Sequence, residues 1–143
     1  MRKILGTLIV AIAAMSIGST RLAAQEYKVI VNSANSTTDL SADEISKLFL
    51  KSSSKFPNGT PAVPVDQAKT SAVRAAFSKA VVGRAVSAVE SYWQQQIFSG
   101  KEVPPAAKGS DEDVIAFVKS NPGAIGYVSA GASLAGVKAI DVK

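Results

Sequence analysis

The sequence predicts an α/β layered domain, a mainly parallel sheet of short strands flanked by helices, and three observations carry that prediction. Short β-branched runs alternate with apolar stripes at helical spacing along the chain, the pattern of βα units. Turn signals separate them, Asn58-Gly59 and Asn121-Pro122-Gly123 among them. Once a leader is set aside, 119 of the 143 residues remain, enough for one core and too few for two domains.

The leader is Met1 to Ala24. Arg2 and Lys3 open it, "ILGTLIVAIAAM" is its apolar stretch, and the small residues of "LAAQE" place a cleavage site after Ala24, which is the three-part pattern of a secretory signal peptide. The charge-free run from Ile4 to Ile17 is shorter than the roughly 20 residues that cross a bilayer. No cysteine near Ala23 offers a lipid attachment point. The expectation is a signal peptide over 1–24 and a domain over 25–143, freed as a soluble protein with no stable membrane insertion. Its compartment would be the periplasm in a cell with two membranes and the exterior in a cell with one.

Composition narrows function further. The formal charge is +5, but Arg2, Lys3 and Arg21 leave with the signal, so thirteen basic side chains face eleven acidic ones, a net of +2. That is too little for a nucleic-acid binder. The chain has no cysteine, so stability comes from packing and not from disulfides. It has no histidine either, which removes the commonest general base and the commonest transition-metal ligand together; no metal and no cofactor is expected.

The elements follow in order. "YKVIVN", Tyr27 to Asn32, is a β-branched strand that runs into the polar loop "SANSTTD". Ser41 with Glu44 three residues on forms a capping box, and Ile45, Leu48 and Phe49 share one face of the helix behind it. "KFPNGTP" is turn chemistry, and "AVPVD" is a second strand, kept short because Pro64 has no N–H to donate. With Thr70 as N-cap, a helix carries Val73, Ala76, Phe77, Ala80 and Val81 on one face and ends at Gly83. Val86, Val89, Trp93 and Ile97 form the stripe of the next helix, and "FSGKEVPPAAKGS" reads as loop. Ser110 with Asp113 caps a fourth helix through Val114, Phe117 and Val118, stopped by "NPG". "AIGYVS" and "GVKAIDV" close the chain as strands. Phe77, Trp93, Phe98 and Phe117 are expected in the core, Tyr127 at a sheet end with its hydroxyl toward the cleft as a second option. The acidic turn Asp111-Glu112-Asp113 complements a helix dipole and needs no metal.

The stretch "DQAKTSAVRAAF", residues 66 to 77, is the candidate site. In open α/β sheets ligands gather beyond the carboxyl ends of strands, where loops enter helices. First-turn amides there, with the hydroxyls of Thr70 and Ser71, would hold an oxyanion, and Lys69 and Arg74 would supply the counter-charge. The same residues also read as an ordinary capped helix with solvated basic side chains. Asn32 and Asn35, after the first strand, are candidates to line the same edge.

"LSADEISKLFLKSSSKFPNGTPAVPVD", "RAAFSKAVVGR", "SYWQQQIFSGKEVPP" and "VKSNPGAIGYVSA" resemble, in order and spacing, the substrate-binding component of phosphate ABC transporters and its short periplasmic-binding-protein-like relatives. The likeness runs from about Val29 to Val142 and implies one lobe of a class II periplasmic-binding-protein fold. It implies an oxyanion ligand such as phosphate, with Asp66, Thr70, Ser71 and Arg74 near the family's Arg-x-Asp-x-Ser-Gly-Thr type of motif; "PVDQAKTSAVR" lacks that motif's Gly and has Pro64 in place of its Arg. Three function classes remain: a phosphate- or oxyanion-binding module, an envelope accessory that meets a transporter, porin or sensor, and an enzyme. The enzyme is set aside, because without a histidine only Ser71 with Lys69 offers a nucleophile and base.

Overall fold

The computed structural model describes residues 26–143, so the signal-peptide reading of 1–24 lies outside the described residues. Six strands form one sheet: β1 Tyr27–Asn32, β2 Asp39–Leu40, β3 Val63–Gln67, β4 Ala106–Lys108, β5 Ala124–Ser129 and β6 Val137–Val142. Their order is β2-β6-β1-β5-β3-β4. The sheet is mostly parallel by pairing: β2 with β6, β3 with β4 and β3 with β5 are parallel, while β1 runs antiparallel to both β5 and β6.

Four α-helices cover it: α1 Ala42–Phe49, α2 Ala72–Phe77, α3 Val86–Phe98 and α4 Asp111–Ser120. The alternation of side chains along β1 divides the core into two layers. Val29 and Val31 face one side with Ile45, Leu48 and Phe49 of α1 and Phe77 of α2; Ile30 faces the other with Val114 and Val118 of α4. β5 is buried on both faces, as a strand between two helical layers must be, and its run "AIGYV" is accordingly almost wholly apolar. Tyr127 therefore lies in the middle of the sheet, not at its end.

Gly126 is the close-approach point of the second layer. A Cβ there would stand 2.7 Å from Val65 Cγ1 and 2.8 Å from Val114 Cγ1, so α4 rests directly on the β5 backbone. Gly126→Ala is expected to cost about 1–3 kcal/mol by overpacking, read from the urea midpoint; an unchanged midpoint would mean that α4 shifts freely.

The caps of α1 and α4 are where the sequence puts them. Ser41 and Glu44 close the capping box, with Glu44 N–H to Ser41 Oγ at 3.1 Å and Ser41 N–H to Glu44 Oε2 at 2.8 Å. Ser110 Oγ accepts from Asp113 N–H at 3.2 Å.

Four local expectations need correction. The cap of α2 is Ser71, whose Oγ accepts from Arg74 N–H at 3.2 Å; Thr70 belongs to the turn before it, because Ser71 N–H already bonds back to Ala68 O at 2.8 Å. α2 does not continue as an α-helix but passes into a π-helical segment, Ser78–Val82, before left-handed Gly83. The wider turn rotates the face, burying Ser78 and Val81 and leaving Ala80 exposed. "FSGKEVPPAAKGS" contains β4, a three-residue strand that exists because β3 offers it an edge. Ile97 and Phe98 leave the core: α3 is anchored by Val89 and Trp93, and its last turn runs past the body, leaving Ile97 53% and Phe98 95% exposed. Phe117 packs at the margin of the α4 layer, with Lys108 Nζ 5.4 Å from its ring centre.

Candidate functional site

The predicted site residues lie at the carboxyl end of β3 and the start of α2. β1 is antiparallel to β5 and β5 is parallel to β3, so Asn32 and Asn35 lie at the opposite end of the sheet. There Asn32 Nδ2 ties the loop to α4 through Val118 O at 2.9 Å and Lys119 O at 3.0 Å. They line no common edge with residues 66–74.

β3 carries Asp66 and Gln67 inward, leaving them only 9% and 4% exposed, so both need internal partners. Asp66 Oδ1 accepts from the Tyr127 hydroxyl and from Gln67 N–H at 2.9 Å, and stands 3.4 Å from Arg74 Nε. Gln67 donates through Nε2 to Asp111 Oδ1 and Tyr127 O, both at 3.0 Å, and accepts from Ser71 Oγ–H at 2.9 Å. Asp111 therefore does more than complement the dipole of α4: the same Oδ1 accepts from Ser129 N–H at 3.1 Å, joining α4, β5 and β3.

Arg74, only 6% exposed, is wired on three sides. Nε faces Asp66, Nη1 donates to Gln67 O at 3.1 Å, and Nη2 donates to Glu90 Oε1 of α3 at 2.7 Å. The guanidinium is thus shared between two carboxylates. Burial pushes the Asp66 carboxyl above its ordinary value, with Arg74 and then the Tyr127 hydrogen bond opposing that rise. Tyr127 is also shifted upward, first by burial and then by the charge of Asp66, so its hydroxyl stays protonated and donates. Phe77 stacks on the Tyr127 ring at 3.9 Å and 10°, fixing the phenol that addresses Asp66.

A raised carboxyl value has a definite consequence for stability. Between the ordinary carboxyl value and the raised one of the folded chain, the unfolded chain has released the Asp66 proton while the folded chain still holds it; above the raised value both are carboxylates. Stability contributed by Asp66 is then complete below the ordinary value and is lost as pH rises through the folded one. The difference in unfolding free energy between wild type and Asp66→Asn, followed in urea from pH 4 to 7, is expected to decline with pH; a flat difference would contradict it.

Above this network opens a cleft of about 250 Å³, lined by Asp66, Lys69, Arg74, Glu90, Trp93, Pro104, Pro105 and Ala107. It brings together Asp66, Lys69 and Arg74 of the five predicted residues. Ser71 stands beside them with its hydroxyl proton directed to Gln67, not to Lys69, so the Ser–Lys pairing offered by the sequence does not form. Thr70 is exposed in the turn and outside the lining. Lys69 is exposed as well, and among the described residues it enters no ion pair. The cleft as it stands has two cations and two carboxylates. No cluster of three or more metal-ligating side chains occurs among the described residues.

Sequence reasoning missed Glu90, Gln67 and the placement of Tyr127. One signal for Glu90 was present: it is the only charged residue in α3.

One six-stranded sheet of this order with helices on both faces and a cleft where β3 enters α2 has the fold of periplasmic binding proteins. Solved structures that share this fold include phosphate ABC transporter substrate-binding proteins. An ABC-type phosphate transport receptor from Vibrio cholerae superposes with a TM-score of 0.62 at 18% identity, over 80% of this chain and 45% of that one. A candidate phosphate ABC transporter substrate-binding protein from Clostridium perfringens, with bound phosphate, superposes at 0.60 and 21% identity, over 82% and 44%. PstS from Borrelia burgdorferi gives 0.63 at 11% identity, over 82% and 47%. The likeness is one of fold, and the chain spans less than half the length of these proteins. No family model and no curated protein sequence matches the chain. No helix among the described residues is long and apolar enough to cross a membrane.

Proposed function

We propose that the chain is a solute-binding lobe that acts outside the cytoplasm, without catalysis, and takes phosphate or a similar oxyanion in the cleft at the β3–α2 turn. The carrying observation is the placement of Lys69 and Arg74 on one cleft at the carboxyl end of β3, in a fold shared with phosphate-binding proteins. Asp66 and Gln67 hold the guanidinium in place, Ser71 orders the start of α2, and Lys69 meets the anion from the solvent side. One lobe offers one wall, so affinity is expected to be weak. Titration calorimetry with phosphate, against sulfate and arsenate, tests this. Saturable heat with phosphate that Lys69→Ala weakens is the expected result, and no heat at millimolar phosphate would overturn it.

A second reading, an envelope accessory that docks a transporter, porin or sensor, is favoured by one observation. Ile97 and Phe98 expose apolar surface at the end of α3, and Val103 does so next to Pro104 of the cleft rim. Crosslinking in the intact envelope distinguishes the two: a partner lost in Phe98→Ser, together with absent phosphate binding, would favour the accessory role.

A further inference from the structure

We propose that Glu90 is an internal competitor of the ligand: its carboxylate occupies the face of Arg74 that an oxyanion would take, so ligand binding and the Glu90–Arg74 contact exclude one another. The inference rests on the oxyanion reading of the cleft and adds its regulation.

The asymmetry of the two carboxylates carries it. Asp66 approaches Arg74 from below, with its side chain 13% exposed and held by Tyr127 and Gln67 N–H. Nη1 is equally committed below, to a backbone carbonyl that cannot move away. Glu90 approaches from the cleft side, at 2.7 Å, with its side chain 41% exposed, and Arg74 is its only partner among the described residues. It can swing into solvent by side-chain rotation while α3 stays anchored through Val89 and Trp93. Asp66 has no such freedom.

Charge points the same way. With Glu90 on the guanidinium the cleft has two cations against two carboxylates, and an incoming dianion gains little. With Glu90 withdrawn the cleft has one net positive charge, and the Nη2 edge of a rigid, pre-oriented guanidinium is open for a charge-assisted hydrogen bond to a tetrahedral oxyanion. The distance from Glu90 Oε1 to Nη2 is that of a strong N–H to carboxylate bond, so the carboxylate is already where a ligand oxygen would sit. Binding is then an exchange of one anion for another.

The test is calorimetric titration of the full chain with inorganic phosphate, comparing wild type, Glu90→Gln and Asp141→Asn. Asp141 is exposed on β6, three strands across the sheet from β3, and its replacement makes the same change in net charge away from the cleft. Phosphate affinity about tenfold higher in Glu90→Gln, with Asp141→Asn like wild type, is the expected result. If wild type binds phosphate and Glu90→Gln binds no more tightly, the competitor role is overturned and the oxyanion reading stands. If both variants tighten equally, the effect is overall charge and the competitor role is again overturned. If neither wild type nor Glu90→Gln shows saturable heat, both the oxyanion reading and the competitor role are overturned.

Discussion

Replacing Arg74 with alanine is expected to destabilise the protein by about 3 kcal/mol or more at pH 7, because it strands a buried carboxylate. Asp66 is 9% exposed and depends on Arg74 for its counter-charge, and Gln67 O loses its donor in the same step. The loss should shrink as pH falls toward the carboxylate range. Burial already pushes the Asp66 carboxyl up, and without Arg74, which opposes that rise, the group takes a proton at higher pH and ceases to be a stranded charge. Urea unfolding at pH 7 and near pH 5 measures both effects. A loss under about 1 kcal/mol at pH 7, or one independent of pH, would show that the ion pair is not what holds β3 to α2. Arg74→Lys should recover only part of the loss, since a single ammonium cannot span Asp66, Gln67 O and Glu90 together.

Phe77→Ala is expected to cost about 3–5 kcal/mol, the range for truncating a buried aromatic ring. Its ring is 2% exposed and meets three others, Tyr127 at 3.9 Å, Phe49 at 4.9 Å and Tyr27 at 5.7 Å. A domain of this size has about 5–15 kcal/mol of stability in all, so the variant should sit close to its folding threshold. The cavity also removes the platform that holds the Tyr127 hydroxyl on Asp66, so damage should spread from the core to the cleft. Thermal melting gives the first effect and the chemical shift of the Tyr127 ring the second. Phe77→Leu should cost much less, and equal losses in both variants would mean that the site tolerates no change of shape at all.

Much of the architecture was legible because its signals are local. A capping box needs only Ser41 and Glu44, three residues apart, and the stripe Ile45, Leu48, Phe49 follows from the helical period. β1, β5 and β6 show as β-branched runs bounded by turn residues. The two-residue β2 and the three-residue β4 do not, since neither has a period long enough to read; each becomes a strand when a neighbour presents an unpaired edge. Thr70 and Ser71 are both good caps in isolation, and a turn bond from Ser71 N–H to Ala68 O selects Ser71. Ile97 and Phe98 fit an apolar stripe, but the helix outruns the body it packs on, a matter of where α3 ends in space.

By itself the sequence determined the class of fold, the order of its principal elements, and the gathering of Asp66, Lys69, Ser71 and Arg74 where a strand enters a helix. Those follow from spacing and residue type over a few turns of chain. Only the tertiary structure decided what these side chains do there. Tyr127 lies 61 residues from Asp66 and Glu90 lies 16 from Arg74, and no local pattern says that folding will bring them together. The physical reason is burial: once β3 carries Asp66 out of water, the charge must be compensated by whatever the packed layers bring within reach, and those layers are assembled from the whole chain.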